Sequence, residues 1–227
     1  MAAIWQWREE TAAALWEEAK GHLTAAGLVA LPTETFYALA AHPFEDEALA
    51  HLFSLKGRPS EKPVLLLVSG PDMLSQVAVN IPEIARTLMA RFWPGPLTLI
   101  FPAQAGLSRR LMDATNGVAV RQPRHEVTRR LIEALGFPVT GTSANRSGQP
   151  AFTRAAELAR EFGGDLALIV DAGPCPGGLP STIVDVSAYP PRVVRAGAVA
   201  TPDIGKMIPN LTMEELTHGE KTSGPGP

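Results

Sequence analysis

Three polar stretches of this chain carry side chains able to hold an anion or a small polar substrate. Lys56-Gly57-Arg58-Pro59 sets an ammonium and a guanidinium two positions apart. Lysine brings a compact charge and arginine a planar fork for two oxygens, so the pair suits phosphate. Pro32-Thr33-Glu34-Thr35-Phe36-Tyr37 offers the hydroxyls of Thr33 and Thr35, which can donate or accept. Gly141-Thr142-Ser143-Ala144-Asn145-Arg146-Ser147-Gly148 is built from small and polar residues, whose backbone can approach a ligand and present N–H groups to it. Ser181-Thr182 follows Gly177-Gly178-Leu179-Pro180, and Arg121 and Arg195 each close a β-type run. Each stretch also has an ordinary reading: cations at a helix C-terminus, a threonine cap or turn, a polar loop, a surface arginine at a strand end. Taken one at a time, the first two favour that ordinary reading, and the third is a loop that identifies no ligand.

Other chemistries find little support. The five histidines have no HExxH or HxH spacing, there is no GxxxxGK[ST] or GxGxxG run, and Ser143 lies in no GxSxG elbow. Phe92-Trp93-Pro94-Gly95-Pro96 reads as a packing corner. A single cysteine, Cys175, excludes an internal disulfide and a cysteine-rich metal site, and fits a reducing compartment. Net charge is −3 and the pI about 6.0, which argues against a bulk polycation that coats nucleic acid. Arginine nevertheless outnumbers lysine 15 to 5, and residues 105–131 hold six arginines against Asp113 and Glu126. That concentration fits a focused anionic site, although Arg129 and Arg130 read better as a solvated helix face.

The elements that must position these groups alternate along the chain. Periodicity and turn residues predict helices over 9–26, 45–56, 82–92, 125–135 and 155–162, with Gly27, Gly136 and Gly163-Gly164 as stops. Short apolar runs predict strands over 28–31, 64–68, 97–101, 118–121, 139–142, 166–170, 182–186 and 192–195. With 227 residues, 45% of them hydrophobic, the chain is expected to form one mixed α/β domain. Pro-Gly interruptions argue against a plain doubly wound sheet. No apolar run approaches the ~20 residues of a membrane span, and the acidic N-terminal segment is unlike a targeting peptide, so no membrane contact and a cytoplasmic location are expected. A domain over 1–208 and a disordered tail over 209–227 are predicted.

Read in order, PTETFYAL, KGRP, FWPGPLTLI, VAVRQP, TSANRSGQP, STIVDVS and VVRAGAV resemble the YrdC/Sua5 family of L-threonylcarbamoyladenylate synthases. The match runs over about residues 31–199, and seven motifs in order are far more specific than any one. The resemblance implies a YrdC-like twisted mixed sheet with flanking helices around a basic cavity. It implies synthesis of L-threonylcarbamoyl-AMP from L-threonine, bicarbonate and ATP with Mg²⁺, releasing pyrophosphate. A threonylcarbamoyl transferase complex would then modify adenosine 37 of tRNA, so no stable tRNA binding by this chain is expected. The alternatives are a paralogue acting on another carbamoyl or adenylate substrate, or a non-catalytic RNA-binding module.

By the same resemblance, the family's KxR…SxN tetrad falls on Lys56, Arg58, Ser143 and Asn145. Lys56 and Arg58 would hold the phosphates, with Asn145, Gly117, Thr153 and Arg195 also at the nucleotide. Thr33, Arg121, Ser143 and Ser181 would form the threonine pocket, and no residue would be a metal ligand. Ala38 stands where the family has Gly, Ala196 where Pro is common, and Leu67 where longer relatives have a His close to threonine. The length implies a short-form member without the extra C-terminal domain.

Overall fold

Most strands of this protein are short and buried on both faces, so they carry apolar runs instead of alternation. The computed structural model describes residues 2–59, 62–208 and 210–213. Twelve strands among them form two mixed sheets. The first has five strands in the order β1-β9-β2-β3-β8: β1 Ala3–Gln6, β9 Leu168–Asp171, β2 Val29–Leu31, β3 Ala38–Ala40 and β8 Thr142–Ser143. The second has seven, in the order β12-β11-β10-β5-β6-β4-β7: β12 Thr212–Met213, β11 Arg192–Arg195, β10 Thr182–Asp185, β5 Leu97–Pro102, β6 Gly117–Arg121, β4 Leu66–Leu67 and β7 Val139–Thr140. The mixed α/β architecture with flanking helices is as the sequence implies, but the sheet is divided in two.

The division falls within the stretch 139–142 that the sequence reads as one strand. Val139 and Thr140 pair with β4, whereas Thr142 and Ser143 pair with β3 in the other sheet. Gly141 permits the switch, because a Cβ there would stand 2.5 Å from Leu67 Cγ and 2.8 Å from Leu65 Cδ1. Thr140 joins the sheets across the break. Its hydroxyl donates to Leu39 O at 3.1 Å and accepts from Ala41 N–H at 2.8 Å.

The helices are α1 Ala12–Thr24, α2 Asp46–Lys56, α3 Glu83–Phe92, α4 Glu126–Leu135, α5 Ala155–Phe162 and α6 Thr201–Gly205. Leu15, Ala19 and Leu23 show how α1 buries one stripe. Gly57 and Gly136 end α2 and α4 in the left-handed region, at φ 57° and 74°. No described helix is long and apolar enough to cross a membrane. Three strands, β1, β3 and β12, have no counterpart in the sequence reading. β1 is largely exposed along an edge and β3 is only Ala-Leu-Ala, so neither shows a strand pattern. Of the stretch predicted as a tail, Thr212 and Met213 instead pair with Arg192 and Val193 at the edge of the second sheet; residues 209 and 214–227 lie outside the described residues.

Because Gly141 has no space for a methyl group between the two leucines, Gly141→Ala is expected to lower the unfolding free energy by about 1–3 kcal/mol. Urea denaturation measures this, and an unchanged midpoint would show that the leucines repack freely.

Candidate active site

A cavity of about 460 Å³ takes wall residues from both sheets, a size ordinary for a small-molecule site. Of the ten site residues predicted from sequence, Thr33, Arg58, Arg121, Ser143, Ser181 and Arg195 line it. Lys56, Asn145, Gly117 and Thr153 are not among its wall residues.

The β2–β3 turn supplies Thr33. Its hydroxyl donates to Phe36 O at 2.7 Å and accepts the N–H groups of Thr35 and Phe36. The ordinary reading of this motif as a threonine-stabilised turn therefore holds, and the turn itself lies in the cavity wall. Thr35, whose hydroxyl meets Thr33 at 3.1 Å, lines the cavity beside it.

Lys56 and Arg58 diverge. Lys56 is the last residue of α2 and is buried. Its ammonium donates to Ser143 O at 2.5 Å, Asn145 O at 2.8 Å and Asn145 Oδ1 at 3.0 Å. All three N–H donors are thus spent on the Ser143–Asn145 loop. The loop is pinned further by Ser143 Oγ donating to Asn145 Oδ1 at 2.7 Å and Asn145 Nδ2 donating to Gln149 O at 2.5 Å. After the left-handed Gly57, Arg58 reaches the cavity, its guanidinium donating to Lys62 O and Pro63 O.

Ser181 is buried between Thr98 Oγ1 at 2.8 Å and the guanidinium of Arg195, which also donates to Ser181 O at 2.8 Å. Gly197 backs this turn so closely that a Cβ would stand 2.3 Å from Pro180 O. Arg121 is 4% exposed at the end of β6. Its Nη1 donates to Glu34 Oε1 at 2.9 Å, and its Nε is buried without a partner. Gly117 sits behind Asp113, which would lie 2.5 Å from a Cβ there. Thr153 accepts the Cys175 N–H through its carbonyl at 2.8 Å.

The cations are under strain from burial. Desolvation pushes the Arg58, Arg121 and Arg195 guanidinium groups below their ordinary range, and at Arg195 the charges of Arg121 and Arg58 push the same way. Glu34 acts in the opposite sense on Arg121. Burial, then the charge of Arg58, brings the Lys56 ammonium down to about 8. His125, whose Nδ1 is buried without a partner, is also lowered by burial, with Glu34 and Glu126 opposing.

Among the wall residues outside the sequence assignment, three bear on the site's charge and shape. Arg192 lines the cavity together with Arg195, although strict alternation sends positions three apart to opposite faces. An irregularity against β10, where Ile183 faces Arg195 but Val184 faces Val193, brings both round. Asp113 is an acidic wall residue, and its Oδ1 accepts the N–H groups of Thr115 and Gly117. Leu67, expected near threonine, is fully buried and absent from the wall; Leu65, two residues earlier, lines it. The described residues contain no group of three or more His, Cys, Asp or Glu side chains placed to hold a metal.

A family model for Sua5/YciO/YrdC, described as "Telomere recombination", matches residues 22–197. The chain belongs to the Sua5/YciO/YrdC family. A threonylcarbamoyl-AMP synthase of Pyrococcus abyssi is 36% identical over 217 residues, 96% of this chain and 62% of that protein. One of Bacillus subtilis is 36% identical over 202 residues, 88% of this chain and 58% of that protein. The chain therefore spans about three-fifths of these two family members. The crystal structure of P. abyssi Sua5 complexed with L-threonine superposes with a TM-score of 0.88 and 34% identity, covering 99% of this chain and 66% of the other. Within the family fold, the seven motifs come together here as the loops and strand ends of one cavity.

The lowered Lys56 value has a definite sign. Between about pH 8 and 10.5 the unfolded chain holds a proton that the folded chain has released, so this group makes stability rise with pH. Below about pH 8 both states hold it and the contribution is flat. The difference in unfolding free energy between wild type and Lys56→Met is therefore expected to grow from pH 8 to 9.5. A constant difference would show that Lys56 titrates as an ordinary lysine.

Proposed function

We propose that this chain joins L-threonine, bicarbonate and ATP into L-threonylcarbamoyl-AMP and releases pyrophosphate. The observation that carries the reading is the convergence of Arg58, Arg121 and Arg195 on one cavity whose wall also includes the Ser143 loop. The names of the relatives and the threonine complex of the P. abyssi protein support it.

The chemistry asks for alignment more than for a protein nucleophile. The threonine amine attacks the carbon derived from bicarbonate, losing a proton and expelling the elements of water overall, to give a carbamate. A carbamate oxygen then attacks the α-phosphorus of ATP, and the bond to the β-phosphate breaks with loss of pyrophosphate. Arg121 would take the amino-acid carboxylate, with Thr33, Ser143 and Ser181 around the rest of the molecule. Arg58 and Arg195 would face the phosphates and offset charge growing on the leaving group. Lys56 would act at one remove, keeping Ser143 and Asn145 in register. Gly117 and Thr153 would support the nucleotide side.

Magnesium belongs to the reading as the counter-ion that ATP brings, held mainly by the phosphates. Asp113 is the wall carboxylate available to meet it, and bound Mg²⁺ would withdraw charge from the phosphoryl oxygens. The product is a mixed anhydride, so a separate acyl-transferring partner would pass the threonylcarbamoyl group to adenosine 37 of tRNA.

Incubation with ATP, labelled bicarbonate and L-threonine is expected to yield labelled threonylcarbamoyl-AMP and one pyrophosphate per product. Label that appears without threonine, or no label at all, would overturn the reading. Arg58→Ala is expected to lower turnover by about 100-fold or more, the scale for losing one preorganised charge at a developing anion. Full activity in a Lys56→Ala/Arg58→Ala double variant would remove both residues from the site.

A further inference from the structure

Glu34 has no part in the chemistry above, and its carboxylate stands outside the cavity wall. It is nevertheless largely buried, and both oxygens are committed. Oε1 accepts Arg121 Nη1 at 2.9 Å and Oε2 accepts the Arg124 N–H at 3.1 Å. Glu34 thus ties the β2–β3 turn of one sheet to the end of β6 in the other and to the approach to α4.

The contact is directional. In a guanidinium group, Nε and Nη2 carry N–H bonds along one edge, the edge that a carboxylate meets side-on. Glu34 occupies Nη1 and leaves that edge alone. Nε is buried without a partner, and Nη2 has no bond to a described residue. A buried donor without an acceptor is unfavourable, and such a group calls for a specific explanation. A ligand that completes it supplies one.

The contact also grades the charge along the cavity. Arg121 is neutralised by a buried carboxylate. Arg58 and Arg195 meet, among the described residues, only main-chain carbonyls and the Ser181 hydroxyl. A monoanion fits the neutralised guanidinium, and a polyanion is drawn to the two whose charge no carboxylate cancels.

We propose that Glu34 is a positioning and selectivity residue: it sets the Nε–Nη2 edge of Arg121 for a single carboxylate and cancels its excess charge, leaving polyphosphate to Arg58 and Arg195. The inference rests on the functional reading above, since the carboxylate in question is that of the amino-acid substrate.

Calorimetric titration of the full chain with L-threonine and, separately, with ATP tests it. Glu34→Gln keeps the shape but has one acceptor oxygen for two donors, and Glu34→Asp keeps the charge but shortens the reach. Both are expected to weaken threonine about tenfold, equivalent to about 1.4 kcal/mol, with ATP affinity changed less than about twofold. Pyrophosphate is expected to compete with threonine in Glu34→Gln but not in wild type, an effect that a merely structural role would not produce. Equal weakening of both ligands with a lower melting temperature would make Glu34 structural and overturn the proposal. So would unchanged threonine binding in both variants. Wild type that binds no threonine would overturn the functional reading itself, and the inference with it. The ¹⁵Nε signal of Arg121, recorded without ligand, is expected to be sharp in wild type and exchange-broadened in Glu34→Gln; identical signals would show that Glu34 does not set the guanidinium.

Discussion

The constraint on which this structure turns is the gathering of several permanent cations in one partly dry cavity. Removing each from water is unfavourable, and mutual repulsion adds to the cost. Arg195 shows both effects, since burial, Arg121 and Arg58 all act against its charge. The fold offsets this with oxygen atoms that carry no full charge. Arg58 meets two carbonyls, Arg195 meets the carbonyl and hydroxyl of Ser181, and Lys56 meets three oxygens of the Ser143–Asn145 loop. Carboxylates enter at Arg121, paired with Glu34, and at Arg192, paired with Asp185. Carbonyls soften the charge without cancelling it, so the cavity remains attractive to an anion. The polar motifs are loops for this reason: regular strands and helices have already spent their carbonyls on one another.

That arrangement explains what could be read in the sequence. The helices were legible because their apolar stripes and glycine stops are local signals, as in α4 with Val127, Leu131, Ile132 and Leu135 buried before Gly136. The motifs carried enough order to name the family and to place Thr33, Arg58, Arg121, Ser143, Ser181 and Arg195 on one cavity. What was not legible depends on contacts between distant segments. Gly141 looks like any glycine in a polar loop until Leu65 and Leu67 are packed against it. Arg192 faces the cavity only because the β10–β11 register slips. Leu65 and Leu67 share a phase of the predicted strand 64–68, but only Leu66 and Leu67 form β4, and Leu65, just before it, is the one at the wall.

Within the KxR motif, sequence proximity concealed a division of labour. Lys56 and Arg58 are separated by one residue, yet one points back under a loop and the other opens on the cavity. Gly57 makes the difference. Its left-handed conformation ends α2 and reverses the chain, with its N–H satisfied by Phe53 O and Ser54 O. A right-handed residue there would carry the helix on, and positions 56 and 58 would lie roughly 200° apart around its axis. The spacing of the motif is therefore the spacing of a helix stop, with a brace before it and a cavity-lining cation after it.

The same separation of bracing from lining side chains runs through the cavity. Arg121 lines it and Glu34 braces; Ser181 lines it and Thr98 braces; Ser143 lines it and Lys56 braces. Each brace comes from an element distant in sequence, and each fixes an atom that would otherwise swing on a short loop or a long side chain. Preorganisation of this kind lowers the reorganisation required when substrates arrive. It also places the specific chemistry of the site on groups that no single motif contains. Glu34 lies inside the PTETFYAL motif, but its partner Arg121 is 87 residues away. The identity of a motif residue can thus be set by a contact in the other sheet, and the cavity wall takes residues from both sheets.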